Sequence, residues 1–509
     1  MQTIYSHSKT QQGQRVGSKF LIDHIRGVTD KALKNFFPSI FDKAIRKLLI
    51  DVCLYHDLGK YTEFFQDYLL DRKPVAKELK QHARIGSFAI FGKYKEEDIL
   101  KAFFAYYLVV NHHKNLSDIS CTEFADSNDE KHLNFVEDIF PKQKKSLLEI
   151  IELIKSEMQE ANLASFLNVP IEKEIRKVVK ELKNTPSIQN YYLINYLFSL
   201  LIEADKLDAS ETPVYEKKSI SPDLVDKKYP LPSLNINIEN ATQNELRSLV
   251  RKEVVNCLEK PEFLQKKIYT LTAPTGIGKT LTALDFALKL RAKIREAEQR
   301  EAQIIYGLPF INIIEQSIQV YDNIFEQSPE IQILAHYQYA DALEQIKKDE
   351  DEEKDKGYNQ ALMSLDTWQS DIVITSFVQL LQTLIGNRNK MLKKFNHFAG
   401  SIIILDEVQT IRLGLQPLIG AALFYLAKFL DARILLMTAT KPKIFELAQK
   451  EILDKKQLND KIEAVELLPN NEQIFARFQR TKIVPLLKSV LADETEFLNL
   501  FLNEWNTKK

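Results

Sequence analysis

Five of the nine histidines of this 509-residue chain form one recurring pattern with aspartates in its first half. They are His24, the pair His56-Asp57 inside YHDLGK, His82, and the doublet His112-His113 inside VVNHHK. Asp205 follows far downstream in LIEADKLDA. Imidazole and carboxylate ligands suit first-row transition metals, and mixed His/Asp ligation fits Mn, Fe, Co or Ni better than Mg alone. Two such ions held close together activate water and stabilise a leaving oxygen in phosphodiester hydrolysis.

A second set of residues builds a nucleotide site. In APTGIGKT, residues 273–280, Gly276 and Gly278 let backbone amides approach phosphates at the start of a helix. Lys279 would reach the β- and γ-phosphates, and Thr280 would ligate Mg²⁺. In IIILDEVQ, residues 402–409, four apolar residues form a buried strand that delivers Asp406 to its end, where it can hold Mg²⁺ through water. Glu407 can then polarise the attacking water. Thr438 and Thr440 in MTAT are candidates for coupling nucleotide state to the lobe surface.

Both sets need elements to position them. From about Gly17 to Leu207 the pattern is helical. FDKAIRKLLIDVCLYHD places its apolar residues on one face, with Gly59 read as a stop beyond His56-Asp57. DILKAFFAYYLVVNHH carries the His doublet at its end, and NYYLINYLFSLLIEADKLDA carries Asp205. Ligands at the ends of buried helices can converge in a bundle core. Residues 213–240 hold four prolines in a polar stretch and read as an inter-domain linker. Beyond it KIYTLTAP, AQIIYGLP, SDIVITSF, SIIILDEV and ARILLMTAT are short β-branched runs, each followed by a helical pattern, which predicts a parallel sheet covered by helices. The charged run at 347–356 reads as a solvated excursion.

Composition sets limits. The length exceeds one ordinary core, and only 14 glycines favour helices over turn-rich β structure. A net charge of −1 rules out a globally basic nucleic-acid binder, so contact with phosphate backbone must come from a local patch. Three scattered cysteines (Cys53, Cys121, Cys257) give neither a disulfide framework nor a zinc knuckle, and Cys53 is expected in the core. The N-terminus has no apolar signal region, and the apolar stretch 413–430 is interrupted by Gln416, Pro417 and Lys428, so no membrane association is expected and the chain reads as cytoplasmic. His7, His132, His336 and His397 are expected to be ordinary surface or core residues.

The motifs carry two resemblances. Residues 241–442 resemble the first RecA-like lobe of superfamily 2 helicases, with 273–280, YGLPFINIIEQ (306–316), VITSFVQLL (373–381), 406–409 and 438–440 in family order. There the segments around Pro309-Phe310 and Thr375-Ser376 are implied to grip a single strand. Arg388, Lys390, Lys393 and Lys394 in NRNKMLKK either assist or form a solvated helix face. HDLGK resembles the signature of HD-superfamily phosphohydrolases. The order H, HD, H, HH, D ahead of a helicase resembles the CRISPR-associated helicase-nuclease of type I systems.

That resemblance implies an all-α HD-type nuclease domain over 1–212, a linker over 213–240, and an α/β RecA-like parallel-sheet lobe over 241–509. It implies His24, His56, Asp57 and Asp205 around one ion, and His82, His112 and His113 with a bridging Asp57 around a second. Lys60 either stabilises phosphate charge or is an ordinary solvated lysine. The implied substrate is single-stranded DNA, displaced at a target marked by an RNA-guided surveillance complex. A second RecA-like lobe, which the residues after Pro442 are too few to supply, is expected to be missing from a truncated, split or degraded copy, with a separate lobe as a candidate partner. Such a chain is expected to bind ATP and to translocate little or not at all alone. Two other readings stand beside this one: a nucleotide phosphohydrolase, and a non-catalytic scaffold half of a split helicase.

Overall fold

The computed structural model describes residues 3–119, 134–168, 172–232, 237–336, 360–440, 443–478 and 491–507; Cys121, His132 and the run 347–356 lie outside the described residues. The first part of the chain is a helical assembly. Helix Lys43–Tyr55 starts where the Asp42 side chain accepts from the Ile45 N–H at 2.9 Å. It buries Leu48, Leu49, Val52 and Cys53 on one face. Helix Ile99–Asn111 starts on Asp98, which caps two amides, and helix Ile188–Ala209 starts on Ser187. Side-chain oxygens meet the orphan amides of the first turn at each of these starts.

An all-α domain was expected here, and the structure corrects that. Strands β1 (Tyr5–Gln11) and β2 (Gln14–Phe20) form an antiparallel hairpin ahead of helix Leu21–Asn35. Its two turn residues, Gln12 and Gly13, both have positive φ, the conformation a tight hairpin needs.

Gly59 has a different role from the one its spacing suggested. The helix already ends at Tyr55, and Gly59 lies in a short 3₁₀ turn, Leu58–Tyr61. A Cβ on Gly59 would lie 2.4 Å from the His82 carbonyl oxygen and 2.5 Å from its Cα. Glycine here lets the backbone carrying His82 press against the turn after His56-Asp57. Gly59→Ala is expected to push His82 away and cost about 1–3 kcal/mol by overpacking; a denaturation midpoint equal to the parent's would refute this.

The second part is α/β. All five predicted strands form: β3 (Ile268–Thr272), β4 (Ile304–Leu308), β6 (Ile372–Ser376), β7 (Ile402–Leu405) and β8 (Arg433–Thr438). With β5 (Ile333–His336) and β9 (Val465–Glu466) they make a parallel sheet in the order β5-β6-β4-β7-β8-β3-β9. Alternate residues serve opposite faces. Ile305, Val373 and Ile403 point into a buried cluster that continues without a break through Leu49, Val52, Phe103 and Leu197 of the helical part. Ile304, Ile372 and Ile402 point into a separate cluster on the other face. The apolar stretch Leu413–Leu430 passes a length-and-hydropathy test for a membrane span, yet half of it is buried within the protein.

Within the stretch read as a linker, residues 215–225 form a strap against the lobe. Tyr215 donates its hydroxyl to Asp371 at 2.5 Å, the Lys218 N–H donates to Asp371 at 2.7 Å, and Arg291 donates to the Lys218 carbonyl at 2.7 Å. Ile220 and Val225 are buried in the lobe's own core.

Candidate metal centre and phosphate loop

The C-terminal ends of helices Lys43–Tyr55, Ile99–Asn111 and Ile188–Ala209 and the N-terminal ends of helices Leu21–Asn35 and Ala83–Tyr94 bring the sequence-predicted residues of the first set together. Asp57 is the hub, with its side chain 1% exposed. Its Oδ2 lies 3.2 Å from His24 Nε2 and 3.4 Å from His56 Nε2. Its Oδ1 lies 3.3 Å from His82 Nε2 and 3.8 Å from His112 Nε2. Asp205 Oδ1 approaches His24 Nε2 at 3.4 Å, and His82 Nε2 meets His113 Nε2 at 2.9 Å. Two groups with metal-ligand spacing share Asp57: His24 and His56 in one, His82, His112 and His113 in the other.

The donor chemistry fits metal ions. His56 Nδ1 faces the Cys53 carbonyl at 2.7 Å, His112 Nδ1 faces the Val109 carbonyl at 2.7 Å, and His24 Nδ1 faces Asp208 Oδ2 at 2.6 Å. The carbonyl contacts fix the proton of His56 and His112 on Nδ1 and present a bare Nε2, the tautomer metal ligands use, and Asp208 orients His24 so that its Nε2 points at Asp57. The Nε2 atoms of His24, His56 and His112 and Asp57 Oδ1 are buried without hydrogen-bond partners. Buried polar atoms are ordinarily satisfied, so four orphans converging on one spot point to a cation.

The electrostatics divide the centre. Burial lowers the affinity of His24 for a proton, but Asp205, Asp208 and Asp57 outweigh it and raise its pKa to about 10 without an ion. Burial raises Asp57, and the charges of His56 and Lys60 overcome that and hold it well below the carboxylate range. Burial pushes His82 down to about 3, and His112 and His113 are lowered for the same reason. His24 and His56 are fully buried, whereas His82 is partly open and His113 is exposed. The second group therefore faces solvent. Lys60 is buried, with its ammonium 2.7 Å from Asp57 Oδ2, and so is not a solvated surface lysine.

Two neighbours were missed in the sequence. Asp208 orients His24 and is itself held by Lys19 at 2.6 Å and Lys31 at 3.0 Å. It sits one helical turn after Asp205, and that i, i+3 spacing was a usable signal. His7, read as ordinary, stacks edge-on against His24 with centroids 5.0 Å apart, carried there by the hairpin. Burial, aided by the nearby charge of His24, lowers its pKa to about 4. The other two histidines do belong to the core: His336 pairs with the Trp368 indole at 3.0 Å, and His397 bridges Gln303 and Glu203.

In the α/β part the loop 273–280 joins β3 to helix Lys279–Glu298, with Gly276 and Gly278 at positive φ. Lys279 lies 3.4 Å from Glu407 and donates to the Ala273 carbonyl at 3.3 Å, while Thr280 is half-buried one residue on. Asp406 ends β7, where burial raises its pKa and its carboxylate accepts the Tyr306 hydroxyl at 2.8 Å. Tyr306 had drawn no notice in the sequence. Glu407 takes a left-handed conformation (φ 53°), costly for a non-glycine residue and typical of functional sites. Thr438 donates to Gln409 at 2.8 Å and accepts from the Thr440 N–H at 3.0 Å, linking the two motifs. Phe310 and Val378 are exposed just past the ends of β4 and β6. Lys393 and Lys394, offered as strand contacts or a solvated face, are buried instead: Lys393 pairs with Asp366, and Lys394 lies over the Trp368 ring.

Residues 253–447 match the DEAD/DEAH box helicase family. Across 90% of its length the chain is 23% identical to the CRISPR-associated nuclease/helicase Cas3 of Haloferax volcanii, covering 53% of that protein. The chain is similar to Cas3 over most of its length. It spans about half the length of this curated relative. T. fusca Cas3 with AMPPNP shares the fold at a TM-score of 0.54 and 16% identity, over 90% of this chain and 52% of that one. T. fusca Cas3 with ATP does so at 0.52 and 14%, over 89% and 52%. The Cas3 likeness reaches well beyond 253–447, so it takes in the helical part as well as the sheet.

Proposed function

We propose that this chain is the nuclease-bearing part of a CRISPR antiviral effector: a metal-dependent single-stranded DNA nuclease, of HD type, fused to an ATP-binding helicase lobe. The observation that carries the reading is the convergence of four orphaned buried atoms on one point, ringed by His24, His56, Asp57, His82, His112, His113 and Asp205.

His24, His56, Asp57 and Asp205 would hold one divalent ion, and His82, His112, His113 and Asp57 a second, drawn from Mn, Fe, Co or Ni by the donor set. Bound there, the ions supply Lewis acidity to a phosphodiester and a lowered pKa for water. The protein does the rest. Asp57 offers one oxygen to each group and so fixes their separation. Lys60 adds positive charge beside Asp57, toward a phosphate. The open side at His82 and His113 admits a flexible strand, whereas the buried side excludes one.

In the lobe, Gly276, Gly278 and Lys279 cradle the phosphates of ATP, and Thr280 and Asp406 hold its Mg²⁺. Glu407, beside Lys279, orients the attacking water. Ser376 and Phe310, past the C-terminal ends of the interior strands β6 and β4, stand where a single strand would lie, whereas Thr375 is buried with its hydroxyl on the His336 carbonyl at 2.9 Å. The partner that marks the DNA is an RNA-guided surveillance complex of a type I system, in keeping with the similarity to Cas3. A separate second lobe would complete the motor. The setting is cytoplasmic.

The test is cleavage of circular single-stranded DNA without ATP, across Mn²⁺, Co²⁺, Ni²⁺ and Mg²⁺, beside a panel of dNTPs. Linearised circles with intact dNTPs are the expected result. Intact circles with every metal from folded protein, or hydrolysis confined to mononucleotides, would overturn the reading.

A further inference from the structure

The two helices that deliver metal-centre residues to the open and buried sides do not end in the helical part alone. Both are gripped by one short stretch of the helicase lobe, residues 387–397. Asn389 donates its side-chain amide to the carbonyl of His112 at 3.0 Å and to that of Lys114 at 3.2 Å. Its backbone N–H donates to Asn115 at 2.9 Å, and Asn387 exchanges hydrogen bonds with Leu116 at 2.9 and 3.0 Å. At the other end of the stretch, Asn396 donates to Ser199 at 3.0 Å and to Glu203 at 2.7 Å. His397 meets the other oxygen of Glu203 at 2.7 Å. Glu203 is 1% exposed and also accepts from Gln369 at 2.6 Å and from Asn35 at 2.9 Å.

The geometry of these contacts is specific. Asn389 fixes the carbonyl of His112 at the C-terminus of helix Ile99–Asn111, where the last carbonyls lack helical partners. Asn35, which closes the Glu203 cluster, ends the helix that carries His24, and Glu203 lies two residues before Asp205 on helix Ile188–Ala209. The two hydrogen-bond sets are thus separate. One reaches the solvent-facing group through His112; the other reaches the buried group through Asp205 and the His24 helix. The stretch follows helix Phe377–Ile385, which begins at Ser376.

We propose that residues 387–397 of the helicase lobe are a positioning element of the metal centre, with Asn389 holding the His82–His112–His113 group and Asn396 holding the His24–Asp205 group. This rests on the metal-centre reading above. None of these asparagines would touch an ion or DNA; they set the backbone on which ligands stand. Outer partners of this sort typically tune metal affinity by about ten- to a hundredfold.

The test is Co²⁺ titration of the full chain, followed by visible absorption, for the parent, Asn389→Ala and Asn396→Ala. Two binding steps are expected for the parent. Each variant should weaken one step by about tenfold or more, a different step in each, with the circular dichroism unchanged. Steps identical to the parent's in both variants, or both steps weakened equally in either, would overturn the proposal while leaving the metal centre standing. Absence of any Co²⁺ spectrum in the parent would remove the metal-centre reading and this one with it.

Discussion

Asp57→Ala is expected to abolish both Co²⁺ binding steps and with them the cleavage of circular DNA. Other candidate ligands belong to one group or the other; the two oxygens of Asp57 face both. Loss of an outer partner costs about ten- to a hundredfold in affinity or activity, so loss of the shared inner carboxylate should exceed about a hundredfold. There is a stability effect as well. Lys60 pairs with Asp57 while 8% exposed, and breaking a buried ion pair by deleting one partner costs about 3–5 kcal/mol. The isosteric Asp57→Asn, which keeps the volume, separates misfolding from loss of ligation. Wild-type cleavage by either variant would place the nuclease chemistry elsewhere or in a contaminant.

Withdrawing metal from loaded protein should lower its thermal midpoint. Without an ion, the Nε2 atoms of His24, His56 and His112 and Asp57 Oδ1 have no hydrogen-bond partners. A buried group left in that state costs about 1–3 kcal/mol. Ions that bind only the folded state add about 4 kcal/mol at a thousandfold excess over Kd. At about 1 °C per kcal/mol for one melting unit of 509 residues, the midpoint should rise by roughly five degrees between chelated and Mn²⁺- or Co²⁺-loaded protein. Chelator and metal giving superimposable melting curves would mean the orphaned atoms are not a cation site.

Much of the architecture could be read because it rests on local pattern. The five β-branched runs became strands, and the helices bearing Asp57, His112 and Asp205 ended where their apolar periodicity ran out. The residues that escaped detection depend on contacts between distant segments. Asp208 meets His24 across 184 positions, and its i, i+3 spacing from Asp205 is the one local hint of that contact. The β1–β2 hairpin is polar and two-stranded, without the alternating apolar face that marks a strand, so His7 looked ordinary. Lys393 and Lys394 read as a basic surface because charge is usually solvated; here an Asp366 carboxylate and the Trp368 ring receive them inside a junction. Glu203 looked like one more acidic residue on a helix, and only the fold shows four side chains converging on it.

The buried cluster running from Leu49 and Phe103 through Leu197 to Ile305 and Ile403 has a consequence for how the molecule divides. Sequence invites a cut at 213–240 into two modules, but a shared apolar core and a buried hydrogen-bond network cross beneath that cut. A helical fragment released there would expose a wide apolar face and lose the Glu203 and His112 attachments together. The helical part and the lobe are therefore expected to melt as one unit rather than as two beads on a string. Genetic dissection of their activities is better done with point substitutions in the full chain than with truncations.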